Sequence, residues 1–239
     1  MKRKLILLTL IAVVAAQLRA VDFRNGKFYY EYREDIPSEA QVVSGDSGYK
    51  GDVVIPTTGT DKGKTVPVTA IGTWAFWGST MTSLTLHASI NFIGEEPFSS
   101  CPDFKQFIVD PANQHFTAID GVLFTKDEKT LLAFPAAKAT EYVVPESVDS
   151  IGASAFSGCE NLKKVVIPAS VKKLSDYAFA GCSSLNEIVL LSAEIPFAAE
   201  SAFNGVSKAA CRLVVPAELV EAYKADIAWK DFNIEAKAD

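Results

Sequence analysis

Residues 58–65 come close to the glycine-rich loop that binds nucleotide phosphates, whose pattern is Gly-x-x-x-x-Gly-Lys-Ser/Thr. The first glycine of that pattern is replaced by Thr58. Residues 66–68 read Val-Pro-Val, where the N-terminus of a helix should receive the phosphate. We therefore interpret the segment as the tip of a hairpin between strands at 53–55 and 66–70.

A second candidate for chemistry is the serine in residues 45–48, which read Gly-Asp-Ser-Gly like the nucleophile segment of trypsin-like serine proteases. In those enzymes the histidine and aspartate precede the serine, whereas His87 and His115 both follow Ser47. Tyr49 also stands in place of a glycine. Because a serine needs a positioned base to act as a nucleophile, the segment is interpreted as a polar turn.

The carboxylates and cysteines also show no pattern of a catalytic or metal-binding site. A glycosidase needs two carboxyl groups about 5–10 Å apart in a cleft, and the acidic pairs at 95–96 and 127–128 are neighbours along the chain, which points their side chains apart on a strand. The chain contains no Cys-x-x-Cys pair, which makes a zinc site improbable. We therefore predict no catalytic residue, no metal and no cofactor.

Composition narrows the class of protein further. The 239 residues are 49% apolar and 22% charged, which excludes intrinsic disorder. The chain has 23 Lys and Arg against 29 Asp and Glu, a net charge of -6. Without a basic excess, nucleic acid and anionic membrane surfaces are unlikely partners.

The first twenty residues predict export. Lys2, Arg3 and Lys4 precede an apolar run at 5–16, which is too short to span a bilayer and fits a secretory signal. We favour a mature start at Val21, with Gln17 as the alternative. Removing residues 1–20 takes away four positive charges and no negative ones, so the net charge falls from -6 to -10. A soluble protein that is secreted, periplasmic or at the cell surface is expected, without a membrane span.

A repeated pattern, Ile-Gly-x-x-Ala-Phe, sets the expected architecture. Its phenylalanines are separated by 22, 58, 23 and 24 residues, and three of these intervals fall in the 20–29-residue range of leucine-rich repeats. After each phenylalanine come a turn and a short strand. One such unit cannot bury its own apolar face, so the units should stack. The residues expected to form one internal ladder are Phe76, Phe98, Phe156, Phe179 and Phe203.

Cys101, Cys159 and Cys182 occupy one repeat position, whereas Cys211 does not. Stacked repeats lie about 4.8 Å apart, so a disulfide between Cys159 and Cys182 is within reach. Export would permit that oxidation. Free cysteine is nevertheless a common small core residue, and buried thiols are the favoured interpretation.

The domain plan follows from the repeats. We expect a signal peptide at 1–20, an N-terminal cap with the first strands at 21–70, a solenoid at 71–212 and a C-terminal cap at 213–239. A hairpin unit at about 113–145 is inserted in the solenoid and fills the 58-residue interval. In the caps, we expect a hairpin at 23–32 and a helix at 217–228 that places Val220, Tyr223 and Ile227 on one face.

These residues resemble the BspA-like leucine-rich repeat family of bacterial exported and surface proteins, from about Phe23 to Phe232. The shared features are the Ile-Gly-x-x-Ala-Phe-x-Gly-Cys core, the Asp-Gly-Val-Leu-Phe insertion at 120–124 and the closing Trp-Lys-Asp-Phe at 229–232. The resemblance implies a β-rich (α+β) solenoid with a parallel strand ladder. It also implies adhesion or host-protein binding without enzymatic activity.

The predicted strands expose one aliphatic row, because side chains alternate between the two faces of a strand. A polar row that includes Lys164 and Glu187 runs beside it. Seven strands would give a stripe roughly 29 Å long, which we interpret as the contact surface for an extracellular or host protein. The aliphatic row consists of Val54, Thr85, Ile108, Val143, Val166, Val189 and Val214.

Two other interpretations of the surface stay open. Valine simply favours exposed strands, and this explanation is slightly preferred over partner binding. Alternatively the protein binds glycans, with Trp74, Trp77, Tyr29 and Tyr30 as a stacking platform near the first repeat.

Overall fold

A computed structural model of the chain describes residues 21–46 and 48–238. The predicted signal segment at 1–20 and the candidate nucleophile Ser47 lie outside the described residues. None of the helices in the described ranges is both long enough and apolar enough to cross a membrane.

The described residues contain twenty strands, two 3-10 helices and one α-helix. The strands in the first half are β1 (Phe23–Asn25), β2 (Phe28–Tyr32), β3 (Ala40–Val43), β4 (Lys50–Val54), β5 (Thr58–Asp61), β6 (Lys64–Ile71), β7 (Thr80–Leu86), β8 (Phe92–Ile93), β9 (Gln106–Val109) and β10 (Phe116–Ile119). The second half has β11 (Val122–Thr125), β12 (Thr130–Ala133), β13 (Glu141–Val143), β14 (Ser150–Ile151), β15 (Lys164–Ile167), β16 (Lys173–Leu174), β17 (Glu187–Leu190), β18 (Phe197–Ala198), β19 (Arg212–Val215) and β20 (Asn233–Ala236). The 3-10 helices are Lys208–Ala210 and Ala217–Leu219, and α1 is Val220–Ala225.

The strands pair from coil to coil, which confirms the predicted solenoid. One wall consists of two parallel sheets, β4-β7-β9 and β13-β15-β17-β19-β20. The wall of the Ile-Gly motifs also consists of two sheets. The first is the N-terminal sheet β1-β2-β3-β6-β5, in which β8 also pairs with β6. In the second sheet, β12, β14, β16 and β18 pair in parallel, and β11 and β10 continue it with antiparallel pairing.

The repeat phenylalanines stack inside the coils, but in two groups. Phe179 lies between Phe156 and Phe203, with ring centroids 4.7 and 5.5 Å away, and Phe76 lies 6.0 Å from Phe98. Phe156 stacks on Phe134 of the inserted unit at 5.1 Å. The buried residues accordingly form two hydrophobic clusters. The expectation of one uninterrupted ladder is therefore wrong at the 58-residue interval.

The glycine of the Ile-Gly motif is required where successive coils approach closely. Gly94 and Gly152 donate their backbone N–H to the carbonyl groups of Ile71 and Leu131 in the preceding strand. A Cβ atom on Gly94 would lie 2.5 Å from the backbone nitrogen of Thr73, and one on Gly152 would lie 2.9 Å from the Leu131 oxygen. The motif therefore needs glycine because a side chain would collide with the backbone of the neighbouring coil.

The repeat cysteines are free and buried. The thiol of Cys101 donates to the backbone carbonyl of Phe76 (Sγ–O distance 3.0 Å), and that of Cys182 donates to the carbonyl of Phe156 (3.2 Å). Burial raises the pKa of Cys101 to about 11 and that of Cys182 to about 12. Each thiol therefore ties its turn to the phenylalanine of the preceding coil and is protonated at neutral pH.

The inserted unit is anchored by one buried asparagine. Asn113 is 0% exposed. Its amide nitrogen donates to the carbonyl groups of His87 (3.0 Å) and Ile90 (2.8 Å) in the preceding coil. Its amide oxygen accepts from the backbone N–H of His115 and Phe116, both at 2.8 Å. The side chain thus joins the chain entering β10 to the coil of β7.

The N-terminal cap is closed on itself. β1 and β2 form the expected hairpin. The amide of Asn25 then bridges to β5, because its Nδ2 donates to the Thr60 carbonyl (3.0 Å) and its Oδ1 accepts from the Thr60 N–H (2.6 Å). The hairpin around residues 62–63 joins β5 to β6. Its first strand is therefore 58–61, and the predicted partner at 53–55 instead belongs to the β4-β7-β9 wall.

The C-terminal cap contains a shorter helix than predicted. The chain is α-helical only over Val220–Ala225, after the 3-10 turn at Ala217–Leu219. Tyr223 is buried, whereas Ile227 lies beyond the helix end and is 67% exposed, so its predicted place on one helix face with Tyr223 is wrong. Trp229 supplies the missing apolar contact and packs on Phe203 with ring centroids 5.1 Å apart.

Candidate binding surface

The predicted aliphatic row is aligned by strand register within each parallel sheet. Val54 pairs with Thr85, which pairs with Ile108 across β4, β7 and β9. In the five-stranded sheet, the register aligns Val143, Val166, Val189 and Val214. Val54 and Val143 are 60% and 65% exposed, whereas Val166 and Val189 are partly covered by neighbours on both sides.

The row is interrupted between β9 and β13. The backbone N–H of Phe107 in β9 donates to the carbonyl of Gly121, so the turn between β10 and β11 lies beside β9. The single stripe of seven strands is therefore two stripes, one spanning two strand spacings (about 10 Å) and one spanning three (about 14 Å). Equal spacing of all seven strands was wrong because the inserted unit contributes a turn at this position.

The polar row beside the second stripe is a ladder of alternating charge. Glu187 accepts from Lys164 (2.6 Å) and from Arg212 (2.7 Å), and Arg212 also contacts Glu235 (3.0 Å). The hydrogen bond to Glu187 raises the pKa of Lys164, and the hydrogen bond from Arg212 lowers the pKa of Glu235. Lys164 and Arg212 thus pair with Glu187 and Glu235, and the exposed Glu141 extends the row with a further carboxylate.

A second apolar row, which the sequence interpretation missed, lies just beyond the C-terminal ends of the same strands. Leu191 in this row is 39% exposed. Each residue of the row follows a valine of the first row by two positions, a spacing that the sequence already contains. The row consists of Pro145, Leu191 and Pro216, and it is interrupted at Pro168, which is buried.

Two of the three corresponding positions beside the first stripe are polar, His87 and Asp110, and the third is Pro56. Asp52 accepts from the hydroxyl groups of Ser83 (2.7 Å) and Thr82 (2.8 Å), and these bonds lower its pKa. His87 follows Thr85 by two residues and Asp110 follows Ile108 by two. The three-stranded sheet is therefore the more polar of the two surfaces.

The proposed glycan platform is not assembled. Trp77 is 59% exposed, but Tyr30 is 0% exposed and stacks on Phe23 with ring centroids 4.9 Å apart. Tyr29 donates its hydroxyl to Asp46 and lies under the Arg24 guanidinium. Because Tyr29 and Tyr30 are consecutive residues in one strand, they face opposite sides, and Tyr30 cannot contribute to a surface.

Among residues 21–46 and 48–238, no cluster of three or more His, Cys, Asp or Glu is arranged to hold a metal ion.

A surface depression lies where the turn after Phe98 meets the turn after Phe156. Its lining includes Ser100, Pro102, Gly158 and Glu160.

His87 makes stability depend on pH. Its imidazole Nε2 is buried and lacks a hydrogen-bond partner among the described residues. Burial lowers the pKa of His87, while the Pro56 backbone and the Asp110 carboxylate act in the opposite direction. A neutral buried histidine stabilises the fold fully above its unfolded pKa of about 6.5, and this contribution is lost as the pH falls. We expect the Tm to decrease between pH 7.5 and 5.5, and His87→Gln to flatten that decrease.

The matched control for this experiment is His115→Gln, which removes an exposed histidine. It should keep the pH dependence of the wild type, measured by thermal unfolding in the same buffers. Carboxylates with lowered pKa, such as Asp52, lose their contribution only at lower pH, outside this window. Equal slopes for His87→Gln and wild type would contradict the assignment.

Comparison with known proteins gives a consistent result. The family model described as BspA type leucine-rich repeat region matches residues 64–130 and 130–220, in six copies. No curated protein matches the chain.

Several solved structures are similar. A leucine-rich repeat protein from Eubacterium ventriosum is 27% identical, with a TM-score of 0.57, over 70% of this chain and 42% of that one. The chain thus spans less than half of that relative. A leucine rich cell surface protein from Faecalibacterium prausnitzii is 16% identical (TM-score 0.41, 91% and 95% covered), and a T. pallidum leucine-rich repeat protein is 21% identical (TM-score 0.44, 91% and 100% covered).

Proposed function

Because the chain belongs to the BspA-type leucine-rich repeat family, we propose that it is an exported, non-enzymatic binding module that recognises an extracellular or host protein. The family supports a binding or adhesion role, since leucine-rich repeat proteins typically serve as binding scaffolds. The basic and apolar pattern of residues 1–20 supports export.

We place the contact surface on the five-stranded sheet. The observation that carries this choice is the register that aligns Val143, Val166, Val189 and Val214 on one face. The second apolar row that contains Leu191 widens this stripe, and the paired charges of Lys164 and Glu187 line its edge. An apolar centre with a polar rim is the usual anatomy of a protein interface. We name this surface the valine face.

The test places charge in the centre of the valine face. Val166→Lys with Val189→Lys puts two ammonium groups where apolar contact is proposed, so affinity for the partner should fall at least tenfold. The mature chain is first used to capture proteins from host extracellular material. The captured protein is then purified, and its affinity is measured by calorimetry for wild type and variants.

The matched control pair is Ala169→Lys with Ala193→Lys, which adds the same charges to exposed loop positions of the same coils. The control should bind like wild type. Circular dichroism must show that both pairs fold, and Val143→Lys at a 65% exposed position serves as the milder variant. Binding that is unchanged in the folded valine-face variants would rule out this surface.

A further inference from the structure

The turns that carry the repeat phenylalanines form a wall of their own. It consists of residues 71–79, 93–101, 151–159, 174–182 and 198–206, one segment from each repeat. We name this surface the turn wall. In each segment the residue two positions before the phenylalanine faces at least partly outwards, and in the first four it has a positive φ. These residues are Trp74, Glu96, Ser154, Tyr177 and Ser201.

Unlike the aliphatic row, the turn wall is continuous across the inserted unit. Glu96 accepts from the Trp74 indole N–H and from the Ser154 hydroxyl, both at 3.3 Å, although Ser154 is 58 residues further along the chain. The Ser154 N–H donates to the carbonyl of Asp176 (3.0 Å). The Ser201 hydroxyl then donates to the Asp176 carboxylate (2.6 Å). All five turns are therefore linked in one row.

Within its five segments the turn wall combines exposed aromatic rings with carboxylates, and Lys173 and Lys208 flank the fourth and fifth segments. Trp77 is 59% exposed and Tyr177 is 44% exposed. The backbone N–H of Trp77 donates to the Trp74 carbonyl, so the two indoles belong to one tight turn. The five segments contain no lysine and no arginine. Their carboxylates are Glu95, Glu96, Asp176 and Glu200.

This charge distribution differs from that of the valine face. There, Lys164 and Arg212 neutralise Glu187 within the surface itself. On the turn wall, Glu95 and Glu200 are exposed and no cation of the five segments lies beside them. A cation from a partner can therefore gain both carboxylate contact and attraction to the face of an aromatic ring.

We propose that the turn wall binds an extended, lysine- or arginine-bearing segment of a partner protein, independently of the valine face. The spacing fits such a segment. Trp74 and Tyr177 lie three coil spacings apart, about 14 Å, and an extended chain advances about 3.3 Å per residue. Cations four residues apart in the partner, about 13 Å, would therefore reach the two ring positions, with the carboxylates of the row beside them.

The test uses defined peptides. Fluorescence anisotropy measures binding of a labelled (Lys-Gly)4 peptide and of a matched (Glu-Gly)4 peptide to the mature chain in 50 mM NaCl. Only the lysine peptide should bind, and 300 mM NaCl should weaken it at least fivefold, because exposed charges are screened by salt. Trp77→Ala with Tyr177→Ala should weaken binding at least tenfold, and so should Glu95→Gln with Glu200→Gln.

The matched control is Phe197→Ala with Glu160→Gln, which removes one exposed ring and one exposed carboxylate outside the row. It should bind the lysine peptide like wild type. The proposal fails if the glutamate peptide binds equally, if wild type does not bind the lysine peptide, or if the turn-wall variants bind unchanged. It also fails if maltohexaose displaces the lysine peptide, because the turn wall would then be a glycan surface.

Discussion

Replacing Phe179 with alanine should lower the free energy of unfolding by about 4 kcal/mol, because the loss of a large buried ring leaves a cavity. Phe179 is 0% exposed and is stacked on both sides, against Phe156 at 4.7 Å and Phe203 at 5.5 Å. Its removal therefore breaks two coil-to-coil contacts at once. Urea unfolding followed by circular dichroism measures the change.

Two further variants make this experiment specific. Phe179→Leu keeps apolar volume and should cost about 1.5 kcal/mol. Phe197→Ala removes a phenylalanine that is 63% exposed and should change stability by less than about 0.5 kcal/mol. Similar losses for Phe179→Ala and Phe197→Ala would show that the stacked rings do not hold the coils together.

Replacing Asn113 with alanine should cost about 3 kcal/mol, because buried polar groups would lose their partners. The bonds to the Ile90 carbonyl and from the Phe116 N–H are fully buried. The bonds that involve His87 and His115 are partly buried, so water can replace some of their contribution. The free energy of unfolding in urea is again the measurement.

Asn113→Ser separates the two halves of this effect. A serine hydroxyl can accept from the N–H groups two and three residues later, as in short serine turns, but it cannot reach Ile90. We expect Asn113→Ser to recover roughly half of the lost stability. Asn161→Ala removes an exposed asparagine and should be nearly neutral. An equally small effect of Asn113→Ala would contradict its anchoring role.

The sequence predicts the coils well because periodic residues report periodic contacts. Phe156, Phe179 and Phe203 recur at 23 and 24 residues, and their rings stack at each step. The same periodicity aligns Val166 with Val189 on the valine face. Where each coil repeats the last, burial and register can be derived from one repeat.

What the sequence could not predict lies where this periodicity stops. Across the 58-residue interval, the Ser154 hydroxyl donates a hydrogen bond to the Glu96 carboxylate. This bond makes the turn wall continuous, although the strands of the aliphatic row belong to two separate sheets. Ile227 follows a helical pattern, but the helix ends at Ala225 and leaves it exposed. The conformation of residues outside the repeats depends on contacts with residues far away in the chain. A single sequence without a repeating pattern does not predict those contacts.

The two ends of the stack differ in how their strand edges are closed. At the N-terminal cap, Asn25 holds β1 against β5 and occupies both backbone groups of Thr60. At the opposite end, β20 pairs with β19 as a regular parallel strand, and this pairing could be repeated by another coil. A strand added after β20 would therefore continue the parallel ladder of the five-stranded sheet in the register that β19 and β20 already share.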